Sequence, residues 1–261
     1  MNPLVVIKIG GNIVDKEQAL QAFLSEYASL PMPKILVHGG GKLATKMAAD
    51  LHIPQTMIDG RRITDGPTLD VVTMVYAGLI NKKIVAYLQS LGCNALGLTG
   101  TDANSILAHK RIHPTIDYGF AGDIDEVNIS TLRLFLENNI FPVFAPITHN
   151  GNGQLLNTNA DTIAQSLAVA CSKNYAVTLV YGFEKAGVLE NVEDENSVIS
   201  KLQPKAYAQL KSEKKIFEGM IPKLDNAFNA LHDGVEKVII GKAENIRELI
   251  LGKSGTTITH E

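Results

Sequence analysis

Hydrophobic positions in this chain fall in short unbroken runs separated by longer segments of helical period. The runs at 4–9, 34–38, 95–99, 140–145, 176–181 and 237–240 are apolar at nearly every position, not at every second one. Strands read that way when both faces of their sheet are covered. Between the runs, apolar residues recur at helical spacing over 16–30, 42–51, 68–91, 130–137, 160–172, 204–211, 220–232 and 244–249. Strand and helix in alternation predict βαβ units, hence an α/β fold with a mainly parallel central sheet.

Two stretches break the alternation. The segment 54–65 carries Asp59-Gly60 among alternating polar residues, and 105–122 carries His109, Lys110, Arg111 and His113 ahead of Tyr118-Gly119. Both read as hairpins or loops, and Asn150-Gly151-Asn152-Gly153 is a turn. After residues 172–175 the chain becomes richer in lysine, which divides it into an expected N-terminal lobe, 1–172, and C-terminal lobe, 173–261.

Chemistry enters at the ends of the first two strands. Val5-Val6-Ile7-Lys8-Ile9 runs into Gly10-Gly11, and Ile35-Leu36-Val37-His38 runs into Gly39-Gly40-Gly41-Lys42. Such turns offer backbone N–H groups with no side chain in the way, a surface that suits phosphate, and Lys8 adds a charge beside one of them. In a parallel sheet, ligands sit outside the carboxyl ends of the strands, where both turns fall. A Walker A loop is excluded, because its first glycine would stand at Leu36 and its Ser or Thr at Leu43. The dinucleotide fingerprint would use Gly39 and Gly41 with Ala44 third, but no acidic residue ends the next strand to hold a ribose. A nicotinamide enzyme is thus a distant alternative.

Two further clusters stand out. Asn157-Thr158-Asn159-Ala160-Asp161 places short polar side chains where an apolar helix begins. Helix capping by Asn159, with Asp161 near the positive helix end, explains part of the cluster, and ligand contact would explain the rest. Phe217-Glu218-Gly219-Met220-Ile221-Pro222-Lys223 reads as a flexible entry to a helix with a lysine one turn in.

Composition narrows the class. The chain has 261 residues, 45% of them hydrophobic, a net charge of −3 and no run of about 18 apolar residues, the usual membrane requirement. These values argue against nucleic acid or a membrane as partner. Met1-Asn2-Pro3 is unlike a signal peptide. Cys93 and Cys171, far apart in apolar contexts, read as plain core thiols of a reducing cytoplasm.

Taken in order, Lys8-Ile9-Gly10-Gly11, His38-Gly39-Gly40-Gly41, Gly60-Arg61-Arg62-Ile63-Thr64, Asn157-Thr158-Asn159-Ala160-Asp161 and Gly219-Met220-Ile221-Pro222-Lys223 resemble the signature of the acetylglutamate kinases. These belong to the amino acid kinase, or carbamate kinase-like, superfamily. The resemblance covers essentially the whole chain. It implies a three-layer αβα sandwich and transfer of the γ-phosphoryl group of ATP to the γ-carboxylate of N-acetylglutamate, for arginine synthesis. Carbamate kinase, aspartokinase, UMP kinase and glutamate 5-kinase are the rivals within the fold.

By the same resemblance, Lys8 would reach the transferring phosphoryl group from the acceptor side and Lys223 from the ATP side, with Asp161 orienting both. Gly10, Gly11, Gly40 and Gly41 would donate N–H bonds to phosphate. Arg62, Asn157 and Asn159 would hold the acceptor beside Gly40 and Gly41. Magnesium would arrive on the ATP phosphates without protein ligands. The first lobe would bind the acceptor and the second the nucleotide, and the helix over 68–91 would pair two chains in a homodimer.

Three features depart from the family. Relatives often carry an aspartate after the nucleotide-lobe strand, where this chain has Tyr181-Gly182-Phe183. Arg61 precedes Arg62 where many relatives are apolar, and a second cation there would suit an acyl group bearing its own carboxylate, such as succinyl. Arginine-inhibited relatives carry an extra N-terminal helix, and its absence here predicts insensitivity to arginine. A non-catalytic ligand sensor on the same fold would be marked by loss of Lys8, Asp161 or Lys223, and all three are present.

Overall fold

The structure, a computed structural model, describes residues 1–58, 60–191, 194–195, 197–213, 216 and 220–260. Asp59, Phe217, Glu218 and Gly219, read above as turn or helix-entry residues, lie outside them.

In chain order the strands are β1 (Asn2–Ile9), β2 (Lys34–His38), β3 (Met57–Ile58), β4 (Arg61–Arg62) and β5 (Ala95–Leu98). They continue with β6 (Ile106–Lys110), β7 (Ala121–Val127), β8 (Phe141–Phe144), β9 (Ile147–His149) and β10 (Leu155–Thr158). The last are β11 (Tyr175–Phe183), β12 (Lys201–Leu202), β13 (Lys237–Lys242) and β14 (Thr256–Ile258). An 8-stranded sheet in the order β12-β14-β13-β11-β1-β2-β8-β5 runs through both halves of the chain. All its pairs are parallel except β13 with β14.

Unbroken apolar runs make these strands because each face buries its own set of side chains. On one face Leu4, Val6, Ile35 and Val37 pack with Val177, Leu179 and Tyr181. On the other, Val5, Ile7, Ile9 and Leu36 pack with Val180 and Ile239.

The helices are α1 (Gly11–Val14), α2 (Glu17–Ser29), α3 (Gly41–Asp50), α4 (Gly66–Thr73) and α5 (Asn81–Ser90). Then come α6 (Ile129–Glu137), α7 (Ala160–Ser172), α8 (Pro204–Ser212), α9 (Ile221–His232) and α10 (Ile246–Ile250). The first face is covered by α6, α7, α8 and α9, and the second by α2, α3, α4, α5 and α10. This is the expected three-layer α/β sandwich.

Helices α4 and α5 are one run, Gly66–Ser90, joined through a π-wound segment, Met74–Ile80. Asp65 caps its start, Oδ1 accepting from Thr68 N–H at 2.9 Å. With 25 residues, and an 18-residue window of mean hydropathy 1.3, this run is long and apolar enough to cross a bilayer, the single such helix among the described residues. Yet Leu69, Val72, Val75, Ile80 and Ile84 are all buried against the sheet.

The segment 105–122 does pair as a hairpin, β6 antiparallel to β7, and 54–65 forms the small β3–β4 hairpin. What alternation did not reveal is a separate closed barrel of β6, β7, β9 and β10. Its strands are short and interleave across the sequence, so no period-2 pattern is long enough to expose them.

Candidate active site

The two glycine turns lie side by side because β1 and β2 are neighbours, with Ile9 opposite His38. Gly39 N–H donates to Ile9 O at 3.0 Å and Gly10 N–H donates to Gly182 O at 3.3 Å. The sheet thus takes up the Gly10 N–H, contrary to the donor role expected of it. Helices α1 and α3 begin at Gly11 and Gly41. The N–H groups of Gly11 and Gly41, first in their helices, have no acceptor inside the helix and lie at its positive end.

Gly40 stands where the backbone and its neighbours favour glycine. Its φ is +155°, and a Cβ there would stand 2.3 Å from Ile80 Cδ1 and 3.2 Å from Tyr76 Cδ1. The loop is therefore seated on the π-wound segment. His38, fully buried, ties it down from behind. Its Nδ1 lies 2.8 Å from Gly39 O and must donate, while Nε2 accepts from Asn81 Nδ2 at 3.2 Å. Burial, partly offset by the bond to Gly39, pushes the imidazole down to about 4, so it is neutral at physiological pH.

Lys8 is the one polar residue in the inner part of β1, and it faces α7. Its Nζ lies 2.8 Å from Asp161 Oδ1, with the two side chains 14% and 24% exposed. Burial pushes the Asp161 carboxyl up, but the charge and hydrogen bond of Lys8, then the charge of Lys223, outweigh it and hold it below the usual carboxylate value. Lys223, on α9, is pushed down by burial and by Lys8 and pulled up by Asp161. Its Nζ lies 4.8 Å from the centroid of the Phe183 ring. The three residues expected to carry the chemistry thus converge from β1, α7 and α9.

Next to them opens a pocket of about 180 Å³, lined by Gly40, Gly41, Arg61, Arg62, Asn157 and Asn159 among others. Every residue expected to hold the acceptor lines it. Buried Arg62 donates through Nη2 to Gly41 O and to Thr45 Oγ1, both at 3.0 Å, and through Nη1 to Gln55 Oε1. Asn157 Nδ2 donates to Thr64 Oγ1 at 3.0 Å. Asn159 caps α7, its Oδ1 accepting from the N–H groups of Asp161 at 2.8 Å and Thr162 at 3.2 Å. Capping, the plainer of the two explanations for Asn159, is therefore realised, on the wall of the pocket.

Arg61 also lines the pocket. Burial and the neighbouring Arg111 lower its guanidinium, while Asp123 and Tyr118 oppose them. Arg111 is itself anchored, Nη1 donating to Asp123 Oδ1 at 2.7 Å. Tyr76 and Pro146, also in the lining, were not expected. A π turn and a barrel loop place them, and neither has a sequence signature. Among the described residues no three His, Cys, Asp or Glu side chains gather as they would around a metal ion.

Residues 3–242 match the amino acid kinase family. The chain is 57% identical over 251 residues to the acetylglutamate kinase of Cytophaga hutchinsonii, covering 96% of this chain and 95% of that protein. Against the acetylglutamate kinase of Parabacteroides distasonis it is 50% identical over 248 residues, covering 95% and 97%. A carbamate kinase from Giardia lamblia bound to AMP-PNP is alike in fold alone, with a TM-score of 0.73 and 13% identity over 100% of this chain and 99% of that one. The chain therefore belongs to the amino acid kinase family and, within it, to the acetylglutamate kinases.

Proposed function

We propose that this protein transfers the γ-phosphoryl group of ATP to the γ-carboxylate of N-acetyl-L-glutamate, making an acyl phosphate for arginine biosynthesis. The observation that carries this reading is the Lys8–Asp161 pair, set between two glycine turns and beside a pocket that holds Arg62 and Asn157.

The attacking carboxylate is already ionised, so no general base is needed. The difficulty is to bring two anions together and to neutralise charge on the phosphoryl oxygens. At about 4 Å and an effective dielectric near 20, one such charge pair contributes roughly 4 kcal/mol. Lys8 supplies charge from the acceptor side and Lys223 from the nucleotide side, and Asp161 keeps both in place. The N–H groups of Gly11, Gly40 and Gly41 line the phosphoryl path. Arg62 and Asn157 grip the α-carboxylate and the amide of the acceptor, with Asn159 on the same wall.

Residues 1–172 then serve as the acceptor lobe and residues 173–261 as the nucleotide lobe. Magnesium would arrive on the nucleotide phosphates. There it would supply positive charge in addition to that of Lys8 and Lys223. Pairing of two chains through the Gly66–Ser90 helix, where Met74 is 56% exposed, gives a cytoplasmic homodimer.

A second reading of the acceptor rests on Arg61. Its place in the pocket lining, beside the anchored Arg111, would suit N-succinyl-L-glutamate. One experiment separates the possibilities: ATP consumption measured with acetylglutamate, succinylglutamate, glutamate, aspartate and carbamate. Turnover with acetylglutamate is expected, and turnover with carbamate alone would overturn the proposal. An Arg61→Leu variant that leaves the acetyl-to-succinyl preference unchanged would remove Arg61 from the question.

A further inference from the structure

Beside the charged pair sits a hydroxyl with nothing to bind. Tyr181 is 4% exposed, and its Oη is buried with no hydrogen-bond partner among the described residues. A buried donor left unpaired costs stability, so its presence in a packed core calls for an explanation.

Position supplies one. Tyr181 stands opposite Lys8 in the β1–β11 register. Its side chain is on the sheet face covered by α7, packed in the same core cluster as Ile163 and Ala164. Asp161, in the first turn of α7, is close enough for its charge to bear on the phenol. Asp161 has its ion pair with Lys8 in this structure. Once a phosphoryl group arrives, Lys8 must divide its charge between that group and Asp161. The carboxylate, only 24% exposed, is then short of a partner.

We propose that Tyr181 is a positioning residue whose hydroxyl donates to Asp161 when Lys8 turns toward the phosphoryl group. The inference rests on the kinase reading above. Burial and the charge of Asp161 both favour the protonated phenol, so the donor is present throughout the working pH range. It also gives a use to the variant strand end noted in the sequence. Phe183, two residues on, carries Lys223 over its ring, so the same strand end serves both lysines.

The test is Tyr181→Phe, which removes the hydroxyl and nothing else. Three results are expected together. First, kcat falls about tenfold, the share of one hydrogen bond to a charged group, while KM for ATP and for the acceptor is unchanged. Second, Tm holds or rises, because the hydroxyl removed had no partner. Third, the acid limb of the kcat–pH profile moves to higher pH, because a carboxylate that loses a donor is protonated more readily. An unchanged kcat with an unchanged acid limb would overturn the proposal. So would a fall in Tm with kcat intact, which would make the hydroxyl a packing element. Wild-type protein without ATP-dependent turnover on any acylglutamate would instead sink the kinase reading, and the two failures are thus distinguishable.

Discussion

Lys8 Nζ and Asp161 Oδ1, 153 residues apart in sequence, lie 2.8 Å apart across the junction of β1 and α7. Neither element would present a buried charge without the other. Removing either partner leaves the second charge uncompensated in a part-buried site. Lys8→Ala and Asp161→Ala are each expected to lower kcat by roughly 10²–10³-fold with a much smaller rise in KM. The double variant should be little worse than either single one, because the two act as a unit. Steady-state kinetics on all three proteins measures this, and additive losses would show that the residues act independently.

Lys223 is placed differently. It lies over the Phe183 ring, and under the proposed function it carries the charge on the nucleotide side. Lys223→Ala should lower kcat by about 10²-fold or more while the acceptor KM stays close to wild type. Near-wild-type turnover would remove it from the transfer step.

Much of this site was legible in the sequence. The Lys8 and His38 strands announced themselves as apolar runs ending in glycines, and their adjacency followed from βαβ logic. Asp161 stood out as an acid in the first turn of an apolar helix. Other parts had no local signal. That Gly10 donates to Gly182 depends on the neighbouring strand β11, and which strands are neighbours is a tertiary fact. The seat of Gly40 on Ile80 and Tyr76 depends on a π turn, which differs from an α-helix by a shift in hydrogen bonding and not by residue type. The small barrel escaped because its strands are short and its two hairpins, β6–β7 and β9–β10, are separated in sequence by α6 and β8.

Gly40 gives a structural prediction with a built-in control. A methyl group there would meet Ile80 Cδ1 at 2.3 Å, so Gly40→Ala should destabilise the protein by about 1–3 kcal/mol through overpacking. Shortening the obstacle with Ile80→Val in the same chain should restore part of the loss. Chemical denaturation of the single and double variants checks both. If the double variant is as unstable as the sum of the two singles, the contact is not the cause.

Arg62 joins the pocket to the second glycine turn through Gly41 O and Thr45 Oγ1. Arg62→Lys keeps the charge but cannot reproduce the planar fork that bridges several acceptors. It is expected to raise the acceptor KM by roughly 10–100-fold, the loss of one or two charge-assisted hydrogen bonds, and to leave the ATP KM within about twofold. Equal effects on both substrates would place Arg62 outside acceptor binding.

His38 makes stability depend on pH with a definite sign. In the unfolded chain an imidazole takes up its proton near pH 6.5, whereas in the folded protein burial holds it off until about 4. Between those values the unfolded state binds more protons, so stability is full above the unfolded value and drains away as pH falls through the window. From pH 7.5 to 5 this single group should remove roughly 2 kcal/mol. Other groups titrate in the same range, so the quantity to measure is a difference. Unfolding free energies of wild type and His38→Gln are compared across that interval by denaturant titration. The variant is expected to be less stable at pH 7.5, because its amide cannot reproduce both ring contacts, yet to lose less stability on acidification. A slope as steep as wild type would mean that His38 is not the group that drains stability in this window.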